Sequence, residues 1–243
     1  MRVGSLFSGI GGFDLGLERA GYDIAWQVEN NEYCREVLKK HWPAVPCHYD
    51  IKTIDWRDIP KVDLVCGGFP CQPFSVAGKR RGAADDRYLW PEVVRCLDAL
   101  RPTWFLGENV PGLINLALDQ VCTDLERLGY TVWPVCLPAC AVGVDQIRQR
   151  VWIIGFHPNT QRVRLQGERV STTWAWSREQ FERLVQTDLR VSLPAGQSGG
   201  VSDGIPHRSH RLKGLGNAIV PQIAEALGRM IVLADQEAAM GGR

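Results

Sequence analysis

Short apolar runs alternate with amphipathic stretches through the first 155 residues of this 243-residue chain. Such alternation is typical of strand–helix–strand units, in which the strands form a largely parallel sheet with helices on its faces. The fold class predicted is therefore α/β, with a doubly wound, mostly parallel sheet. Strands are predicted over residues 3–7, 24–28, 62–66 and 104–106, with an antiparallel pair at 131–137 and 151–156. Helices are predicted over residues 12–20, 32–41, 88–100 and 119–128.

The periodicity weakens after residue 157 and returns near the end of the chain. Residues 170–175 have the pattern of a strand, and Ser177 is placed to cap a helix over 178–185. Residues 193–206 are rich in Gly, Ser and Pro, which indicates a loop. A helix with proline in its first turn is predicted over 221–234. We therefore expect one main domain formed by 1–156 and 214–243, with a small separate region over 157–213.

The composition is that of an ordinary globular protein, with 45% hydrophobic and 23% charged residues. No run of about 18 apolar residues marks a membrane span. The first residues lead into a glycine-rich turn and not into a long apolar segment, which argues against a secretory signal. The sequence therefore predicts an intracellular protein that does not enter a membrane.

Eight cysteines are present, but their spacing favours neither a disulfide framework nor a zinc site. The chain is long enough to build a core without disulfides. The nearest spacing, Cys136 to Cys140, has no His or Cys partners at the intervals that zinc requires. Most of these thiols are expected to be small core residues, and Cys71 needs a separate argument.

Basic residues are concentrated late in the chain, although the whole chain has a net charge of only +1. Residues 1–145 hold 15 Lys and Arg against 19 Asp and Glu, whereas residues 146–213 hold 11 against 5. The resulting net charge of +6 indicates a surface that faces phosphates. A solvated surface that happens to be basic is the alternative.

A glycine turn joins the first predicted strand to the first predicted helix, in the segment Phe7-Ser8-Gly9-Ile10-Gly11-Gly12. Such a turn lets a ligand approach the backbone and presents helix N–H groups to a carboxylate or phosphate. Glu29 ends the second strand about twenty residues later, where an acid is placed to bind the two hydroxyls of a ribose. The alternative is that these glycines only allow tight packing of strand against helix.

Cys71 follows the third long strand in the segment Gly67-Gly68-Phe69-Pro70-Cys71-Gln72-Pro73. A cysteine between two prolines lies on a stiff turn and not inside a helix or strand. A position near the carboxyl edge of a sheet favours a reactive thiolate. From this segment alone, a nucleophile and a structural cysteine are equally good interpretations.

Three further blocks follow in order: Gly107-Glu108-Asn109-Val110, Gln146-Ile147-Arg148-Gln149-Arg150 and Gly216-Asn217-Ala218-Ile219-Val220-Pro221. With the glycine turn and the cysteine turn they make five blocks over about three-quarters of the chain. Together they closely resemble the cytosine-C5 DNA methyltransferases, and in particular the small enzymes of phages and prophages. The resemblance implies a sheet of the S-adenosylmethionine-dependent methyltransferase type with a small target-recognition subdomain, in the cytoplasm of a bacterial or phage-infected cell.

The resemblance implies a role for each residue of the catalytic set. Cys71 is the thiolate that adds to C6 of cytosine, so that C5 can attack the methyl group of S-adenosylmethionine. Glu108 binds the N3 and amino edge of the base, and burial should raise the pKa of its carboxyl. Arg148 and Arg150 point at the cytosine O2 and the nearby backbone, with Arg150 assigned to O2. Surface charges at the edge of a strand are the alternative for the two arginines.

The resemblance also implies S-adenosylmethionine as methyl donor, no metal, and a set of cofactor-binding residues. Asp50 and Ile51 match the positions beside the adenine. An aromatic residue often follows the ribose-binding acid in the family, but here that residue is Asn30. We therefore expect Ile51 or Phe7 to make more of the adenine contact. The full expected set is Phe7, Gly9, Gly11, Glu29, Asp50, Ile51, Pro70, Leu89 and Asn217.

Double-stranded DNA is the implied partner, and the target cytosine must be flipped out of the duplex to reach Cys71. Residues 75–87 resemble the family's mobile loop, and the region 157–213 is short for one that reads sequence. The resemblance further implies a monomer within a restriction-modification system, with a possible cognate restriction endonuclease. The expected DNA-contacting residues are Gln72, Ser75, Lys79, Arg80, Arg81, Arg208 and Arg211.

Two other functions remain open from the sequence. The same thiol chemistry can methylate cytosine in an RNA such as tRNA, and the short recognition region leaves room for that. A non-catalytic DNA-binding protein can also retain this fold. Intact Cys71, Glu108 and paired arginines argue against the second alternative.

Overall fold

The computed structural model describes residues 1–70, 88–144, 148–158 and 218–240, with side chains described up to residue 236. Its centre is a seven-stranded sheet with the strand order β3-β2-β1-β4-β5-β7-β6. The bounds of the strands are β1 (Arg2–Leu6), β2 (Asp23–Val28), β3 (Cys47–His48), β4 (Leu64–Gly68), β5 (Trp104–Asn109), β6 (Thr131–Pro138) and β7 (Gln149–Phe156).

The sheet is mostly parallel, as the sequence predicts. Strands β1 to β5 pair with their neighbours in parallel, and β7 lies antiparallel between β5 and β6. The predicted antiparallel pair is thus confirmed. Because β1 to β5 run the same way, their carboxyl ends form a single edge of the sheet.

Helices cover both faces of the sheet. Helices α1 (Gly12–Arg19) and α6 (Pro221–Met240) pack against one another on one face. Helices α3 (Trp90–Leu100) and α5 (Leu118–Arg127) bury their apolar sides on the other face. Helix α2 (Glu32–His41) precedes the edge strand β3, and the short α4 (Leu113–Leu116) precedes α5.

Two apolar cores result, one on each face. Leu17, Ile223 and Leu227 pack with the strand residues of the α1–α6 face. Trp90, Leu97 and Leu125 pack with the strand residues of the opposite face. Since α6 completes the first core, residues 221–240 pack with the first strand and helix of the chain. The predicted domain over residues 1–156 and 214–243 stays a prediction.

Two strand predictions were wrong at their ends. β4 extends through Gly67 and Gly68, which were expected to end it, and β5 continues past residue 106 to Asn109. A strand needs glycine where another backbone approaches closely. A Cβ at Gly67 would lie 2.8 Å from the carbonyl oxygen of Leu6. The correction matters because it puts Glu108 on a strand and not at the start of a helix.

The prediction that most thiols are core residues is only partly correct. Cys34, Cys66 and Cys96 are buried, whereas Cys47 and Cys122 are half-buried. Cys136 and Cys140 are exposed because they lie on the outermost strand β6 and just after it.

The sequence pattern did not predict the shortest elements. The two-residue strand β3, the helix α4 and the 3-10 turns at Ile51–Thr53 and Ala139–Val142 are too brief to establish a period. None of the helices among the described residues is long and apolar enough to cross a membrane. The predicted strand over 170–175, helix over 178–185 and loop over 193–206 lie outside the described residues.

Candidate active site at the carboxyl edge of the sheet

The glycine turn after β1 has the backbone geometry that its sequence predicts. Phe7, Gly9 and Gly11 all have positive φ angles, of 52°, 57° and 87°. Gly11 donates a hydrogen bond to the carbonyl oxygen of Ser8 at 2.9 Å, which closes the turn. A Cβ at Gly11 would overlap the ring of Trp42, whereas one at Gly9 would have no neighbour closer than 4.0 Å. Gly11 is therefore required for packing, and Gly9 lies beside open space.

Glu29 holds this turn in place. One carboxylate oxygen accepts from the N–H of Gly9 at 2.8 Å, and the other accepts from the N–H of Asn31 at 2.7 Å. The side chain is 8% exposed. Each carboxylate oxygen has a second lone pair, so Glu29 can still accept from a ligand hydroxyl.

Asp50, Ile51, Pro70 and Leu89 also lie at this edge or directly behind it. Asp50 caps the 3-10 turn by accepting from the N–H of Lys52 at 2.9 Å. Ile51 is buried, Pro70 directly follows Phe69 beyond the end of β4, and Leu89 precedes the first turn of α3. The structure thus brings to one edge every expected cofactor residue that it describes.

Glu108 lies near the end of β5, between Gly68 on β4 and Trp152 on β7. Its carboxylate contacts the guanidinium of Arg150, with 3.1 Å between Oε1 and Nε. Burial raises the pKa of Glu108 to about 7, although Arg150 and Arg148 both favour the charged form. The predicted rise in its pKa is confirmed, and the cause is that desolvation outweighs the two cations.

Arg148 directly precedes β7, two residues before Arg150 in the sequence. Burial, together with the positive charge of Arg150, lowers the pKa of its guanidinium. Its Nε is buried and has no hydrogen-bond partner among the described residues. A buried donor without a partner is rare in folded proteins, so Arg148 is a donor that an incoming acceptor can satisfy.

Asn109 is a site residue that the sequence analysis quoted but did not assign. Its side-chain amide donates to the carbonyl oxygen of Phe69 at 2.8 Å, and Asn109 is 4% exposed. Phe69 in turn packs on Trp90, with 4.7 Å between ring centroids. Asn109 therefore fixes the backbone two residues before Cys71. A polar residue directly after Glu108 was the available signal, but the predicted strand ended too early to place it.

A second group that the sequence analysis missed lies beneath the glycine turn. Asp14 is fully buried on α1 and accepts from Ser5 at 3.1 Å and from Gln27 at 2.7 Å. Burial raises its pKa to about 6 against the effect of both hydrogen bonds. These bonds tie α1 to β1 and β2 directly behind the turn. Its place beside Phe13 and Leu17 on the apolar side of α1 was the available signal.

Ile219 connects the two halves of the edge. A Cβ at Gly12 would lie 2.6 Å from its carbonyl oxygen, and one at Gly68 would lie 3.3 Å from its side chain. The described part of the last sequence block, residues 218–221, thus packs against both the glycine turn and the end of β4.

Several expected site residues lie outside the described residues. They include the predicted nucleophile and the predicted loop beside it, one cofactor residue and two late arginines. Across residues 1–70, 88–144, 148–158 and 218–240, no group of three His, Cys, Asp or Glu side chains is arranged to hold a metal ion. The undescribed site residues are Cys71, Gln72, Ser75, Lys79, Arg80, Arg81, Arg208, Arg211 and Asn217.

Comparison with known proteins identifies the family. Residues 1–192 match the sequence model of the C-5 cytosine-specific DNA methylases. The chain belongs to the C-5 cytosine-specific DNA methylase family. The predicted resemblance is therefore confirmed, and the family's match extends into the region after β7.

Two bacterial relatives illustrate how close the match is. The Type II methyltransferase M.FnuDI of Fusobacterium nucleatum is 40% identical over 161 residues, which are 64% of this chain and 47% of that protein. M.NgoBI of Neisseria gonorrhoeae, another Type II methyltransferase, is 40% identical over 159 residues, or 63% of this chain and 50% of that protein. The chain spans about half the length of the curated relatives it matches.

Solved structures give the same fold. A chain from an E. coli prophage, assigned as a DNA modification methyltransferase, has a TM-score of 0.56 and 27% identity. The match covers 66% of this chain and 48% of that one. DNMT2 of Spodoptera frugiperda has a TM-score of 0.57 and 25% identity, with 65% of this chain and 50% of that chain covered. The predicted α/β fold class is confirmed.

Proposed function

We propose that this chain transfers a methyl group from S-adenosylmethionine to C5 of a cytosine in duplex DNA. The observation that carries the proposal is Glu108, a buried carboxyl with a pKa raised to about 7 and paired with Arg150 at the carboxyl edge. Gly68, which pairs with Glu108 in the sheet, precedes Cys71 by only three residues. The carboxyl of Glu108, the guanidinium of Arg150 and the segment that leads to Cys71 thus lie together at the carboxyl edge of the sheet.

The residues at the ends of β1, β2 and β3 fit a bound S-adenosylmethionine. Gly9 borders open space, and Glu29 retains lone pairs for the ribose hydroxyls. When bound, S-adenosylmethionine supplies an activated methyl group on a sulfonium. Ile219 packs on Gly12 close to Asn217 in sequence, which supports a role for Asn217 on the same side. The proposed binding residues are Phe7, Gly9, Gly11, Glu29, Asp50, Ile51, Pro70, Leu89 and Asn217.

Glu108 performs the proton chemistry at the base. With a pKa near 7 it is partly protonated at neutral pH, so it can donate a hydrogen bond to N3 of cytosine. Proton transfer towards N3 withdraws electrons from the ring and favours attack at C6. Arg150 remains beside Glu108 to stabilise the carboxylate that this transfer leaves. Arg148, whose Nε has no partner in the described part of the chain, supplies a donor for the cytosine O2 or a backbone phosphate.

The electron flow then runs through Cys71. Its thiolate forms a bond to C6, and the C5–C6 π pair moves onto C5. Carbon C5 would then take the methyl group that bound S-adenosylmethionine would supply, and the donor would keep the electron pair of the broken S–CH3 bond and leave as a neutral thioether. A water molecule removes the C5 proton, the C5–H electron pair re-forms the C5–C6 double bond, and the C6–S pair leaves with the Cys71 thiolate. N3 returns its proton to Glu108. Each turnover therefore regenerates the enzyme.

Reaching the base requires extrusion of the cytosine from the duplex, at a cost of a few kcal/mol. We assign the contacts that meet this cost to the basic residues after Cys71 and to the net charge of +6 over residues 146–213. Phosphate contacts of this kind fix register without reading bases. The proposed DNA-contacting residues are Gln72, Ser75, Lys79, Arg80, Arg81, Arg208 and Arg211.

The same proposal includes an organisation and a setting. Residues 1–156 and 214–243 form the catalytic domain, and residues 157–213 form the region that selects the target. Packing of α6 on α1 supports the first part of this division. Since relatives of this chain are Type II methyltransferases, we place it as a monomer in a restriction-modification system beside a cognate endonuclease.

Expression in a host without DNA methylation tests this function. Sequencing of the host genome for 5-methylcytosine should reveal one consensus motif, which would also name the target. Absence of methylation both there and on purified duplex DNA with S-adenosylmethionine would contradict the proposal. Methyl transfer to tRNA but not to duplex DNA would instead establish an RNA-directed enzyme. Specific DNA binding without transfer would indicate a non-catalytic protein.

A further inference from the structure

Arg95 on α3 binds the 3-10 turn at which two of the proposed cofactor residues lie. Its Nη2 donates to the carbonyl oxygen of Ile51 at 2.6 Å, and its Nη1 donates to that of Ile54 at 2.8 Å. Ile51 begins the turn, Ile54 directly follows it, and Asp50 caps it. A single guanidinium therefore holds both ends of the turn that carries Asp50 and Ile51.

Two further contacts orient the guanidinium of Arg95. Its Nε donates to the carboxylate of Glu92, three residues earlier on α3, at 2.7 Å. Its Cζ lies 5.8 Å from the ring centroid of Trp56, within the range of a cation–π contact. Trp56 is buried and packs on Trp26, with 5.6 Å between ring centroids. A planar guanidinium placed by an acid and a buried ring presents its remaining donors in fixed directions.

The hydrogen bonds inside the turn differ in function from those that Arg95 makes. The N–H of Thr53 donates to the carbonyl oxygen of Asp50 at 3.1 Å, and the N–H of Lys52 donates to the Asp50 carboxylate at 2.9 Å. These bonds shape the turn, which follows the two-residue edge strand β3. The bonds from Arg95 instead attach it to α3, whose apolar side is buried. The position of the turn at the carboxyl edge thus depends in part on α3.

The start of α3 carries a third proposed cofactor residue, Leu89. The carbonyl oxygen of Leu89 accepts from the N–H of Glu92 at 3.2 Å, so the acid that orients Arg95 lies in the first turn of the helix. Arg95 therefore links the helix start at Leu89 to the turn at Asp50 and Ile51. Because a misplacement of about 1 Å is enough to weaken the action of positioning groups, this link sets how well the two segments fit one ligand.

We propose that Arg95 is a cofactor-positioning residue, which fixes the turn at Asp50 and Ile51 in the place where it meets the adenine of S-adenosylmethionine. Arg95 acts through the carbonyl groups of Ile51 and Ile54 and is assigned no contact with the cofactor. The inference rests on the proposed function, because it assumes that the carboxyl edge binds S-adenosylmethionine. It adds a residue behind the binding surface that determines how the adenine is recognised.

Arg101 provides a matched control at the other end of α3. It forms the C-cap of the helix, pairs with Asp98 three residues earlier and donates to the carbonyl oxygen of Leu128 at 3.1 Å. The Arg101 guanidinium thus makes the same kinds of hydrogen bond as that of Arg95. Leu128 follows α5 and is not among the proposed site residues. A change at Arg101 therefore alters an attachment within the fold and leaves the site unchanged.

Isothermal titration of the purified chain with S-adenosylhomocysteine tests the inference without relying on activity. Arg95→Lys keeps the positive charge, but an ammonium has no planar fork to hold two carbonyl groups and Glu92 together. The Kd should therefore rise about tenfold for Arg95→Lys and stay within about twofold of wild type for Arg101→Lys. Thermal melting should show that both variants are folded at the temperature of the titration.

Titration with S-inosylhomocysteine separates positioning from a general structural role. Its hypoxanthine has a carbonyl oxygen where adenine has an amino group, so it cannot donate to Asp50 at that position. The wild type should bind it more weakly than S-adenosylhomocysteine, and Arg95→Lys should lose most of this preference. Glu92→Gln keeps an acceptor for Arg95 but not the charge, so it should raise the Kd for S-adenosylhomocysteine about threefold. This variant carries the test if Arg95→Lys does not fold.

The outcomes separate this inference from the proposed function. If the wild type binds S-adenosylhomocysteine and the Arg95 and Glu92 variants bind it equally well, Arg95 has no positioning role and the proposed function stands. If Arg95→Lys and Arg101→Lys weaken binding equally, or if the preference for adenine is unchanged in Arg95→Lys, Arg95 only stabilises the fold and the inference is wrong. If the wild type binds neither S-adenosylhomocysteine nor S-adenosylmethionine, both proposals fail.

Discussion

The two halves of the carboxyl edge stabilise their buried carboxyl groups with different partners. At the ends of β1 and β2, both oxygens of Glu29 accept from backbone N–H groups of the glycine turn and the start of α2. At the ends of β5 and the start of β7, Glu108 depends on side chains, and its pKa is raised to about 7 by burial. Arg148 there has a buried Nε without a partner in the described residues.

Because of this difference, the half around Glu29 is fixed before a ligand binds, whereas the half around Glu108 can change its protonation when a ligand binds. A carboxylate held by backbone donors is fixed before a ligand arrives and can orient it. A carboxyl near its titration point, next to an unsatisfied donor, can exchange a proton with a base and complete its hydrogen bonds at the same time. We infer that the first half binds and the second half reacts.

The largest expected effect comes from removing the titrating proton. Glu108→Gln keeps the size of the side chain but cannot transfer a proton to N3, so the single-turnover rate of methyl transfer should fall by about 10²–10⁴-fold. The exposed Glu126→Gln should retain the wild-type rate. If Glu108→Gln transferred the methyl group as fast as the wild type, the inference that the half around Glu108 carries out the reaction would be wrong.

A substitution in the glycine turn beside Glu29 should lower the stability of the fold. Gly11→Ala places a Cβ against Trp42 at a φ of 87°, so the free energy of unfolding should fall by about 3 kcal/mol from strain and overlap together. Gly21 has a φ of 89° but no neighbour within 4 Å, so Gly21→Ala should lose only about 1 kcal/mol. Urea denaturation of both variants measures the difference, and equal losses would contradict the close packing.

The pH dependence of stability sharpens the comparison. The folded-state pKa of Glu108, about 7, exceeds its ordinary value of 4.5. Its contribution is therefore complete below pH 4.5 and is lost as the pH rises through 7. Between pH 5 and 8 the wild type should lose roughly 2 kcal/mol relative to Glu108→Gln, as measured by urea unfolding. Parallel curves for the two proteins would show that Glu108 is not desolvated.

The smallest effect should come from the hydrogen bond between the ends of β5 and β4. Asn109→Ala removes the hydrogen bond to Phe69, and the free energy of unfolding should fall by about 1 kcal/mol. The rate of methyl transfer should fall by about tenfold, because the backbone before Cys71 loses a restraint. Asn109→Asp retains the acceptor for the Val110 N–H but not the donor, so it should not restore the rate. Restoration by Asp would contradict this role.

The sequence predicted the sheet because its strands are long apolar runs with clear turns, such as 24–28 before Glu29. It misplaced the ends of β4 and β5 because their glycines resemble turns. In the structure, Gly67 packs closely on Leu6, and Gly107 packs on the ring of Phe105. It identified Glu108 and its raised pKa from the motif. Asp14 and Asn109 escaped because their roles depend on partners distant in sequence, namely Gln27 and Phe69.

Covalent trapping tests most directly whether the two halves serve one reaction. Duplex DNA with 5-fluorocytosine in the target motif cannot release the C5 substituent, so the enzyme should stay bound to it after methyl transfer. With S-adenosylmethionine present, mass spectrometry should locate one adduct on Cys71, and Cys71→Ser should give none. The exposed Cys136→Ser should still be trapped. An adduct on another cysteine, or an adduct formed by Cys71→Ser, would contradict the account.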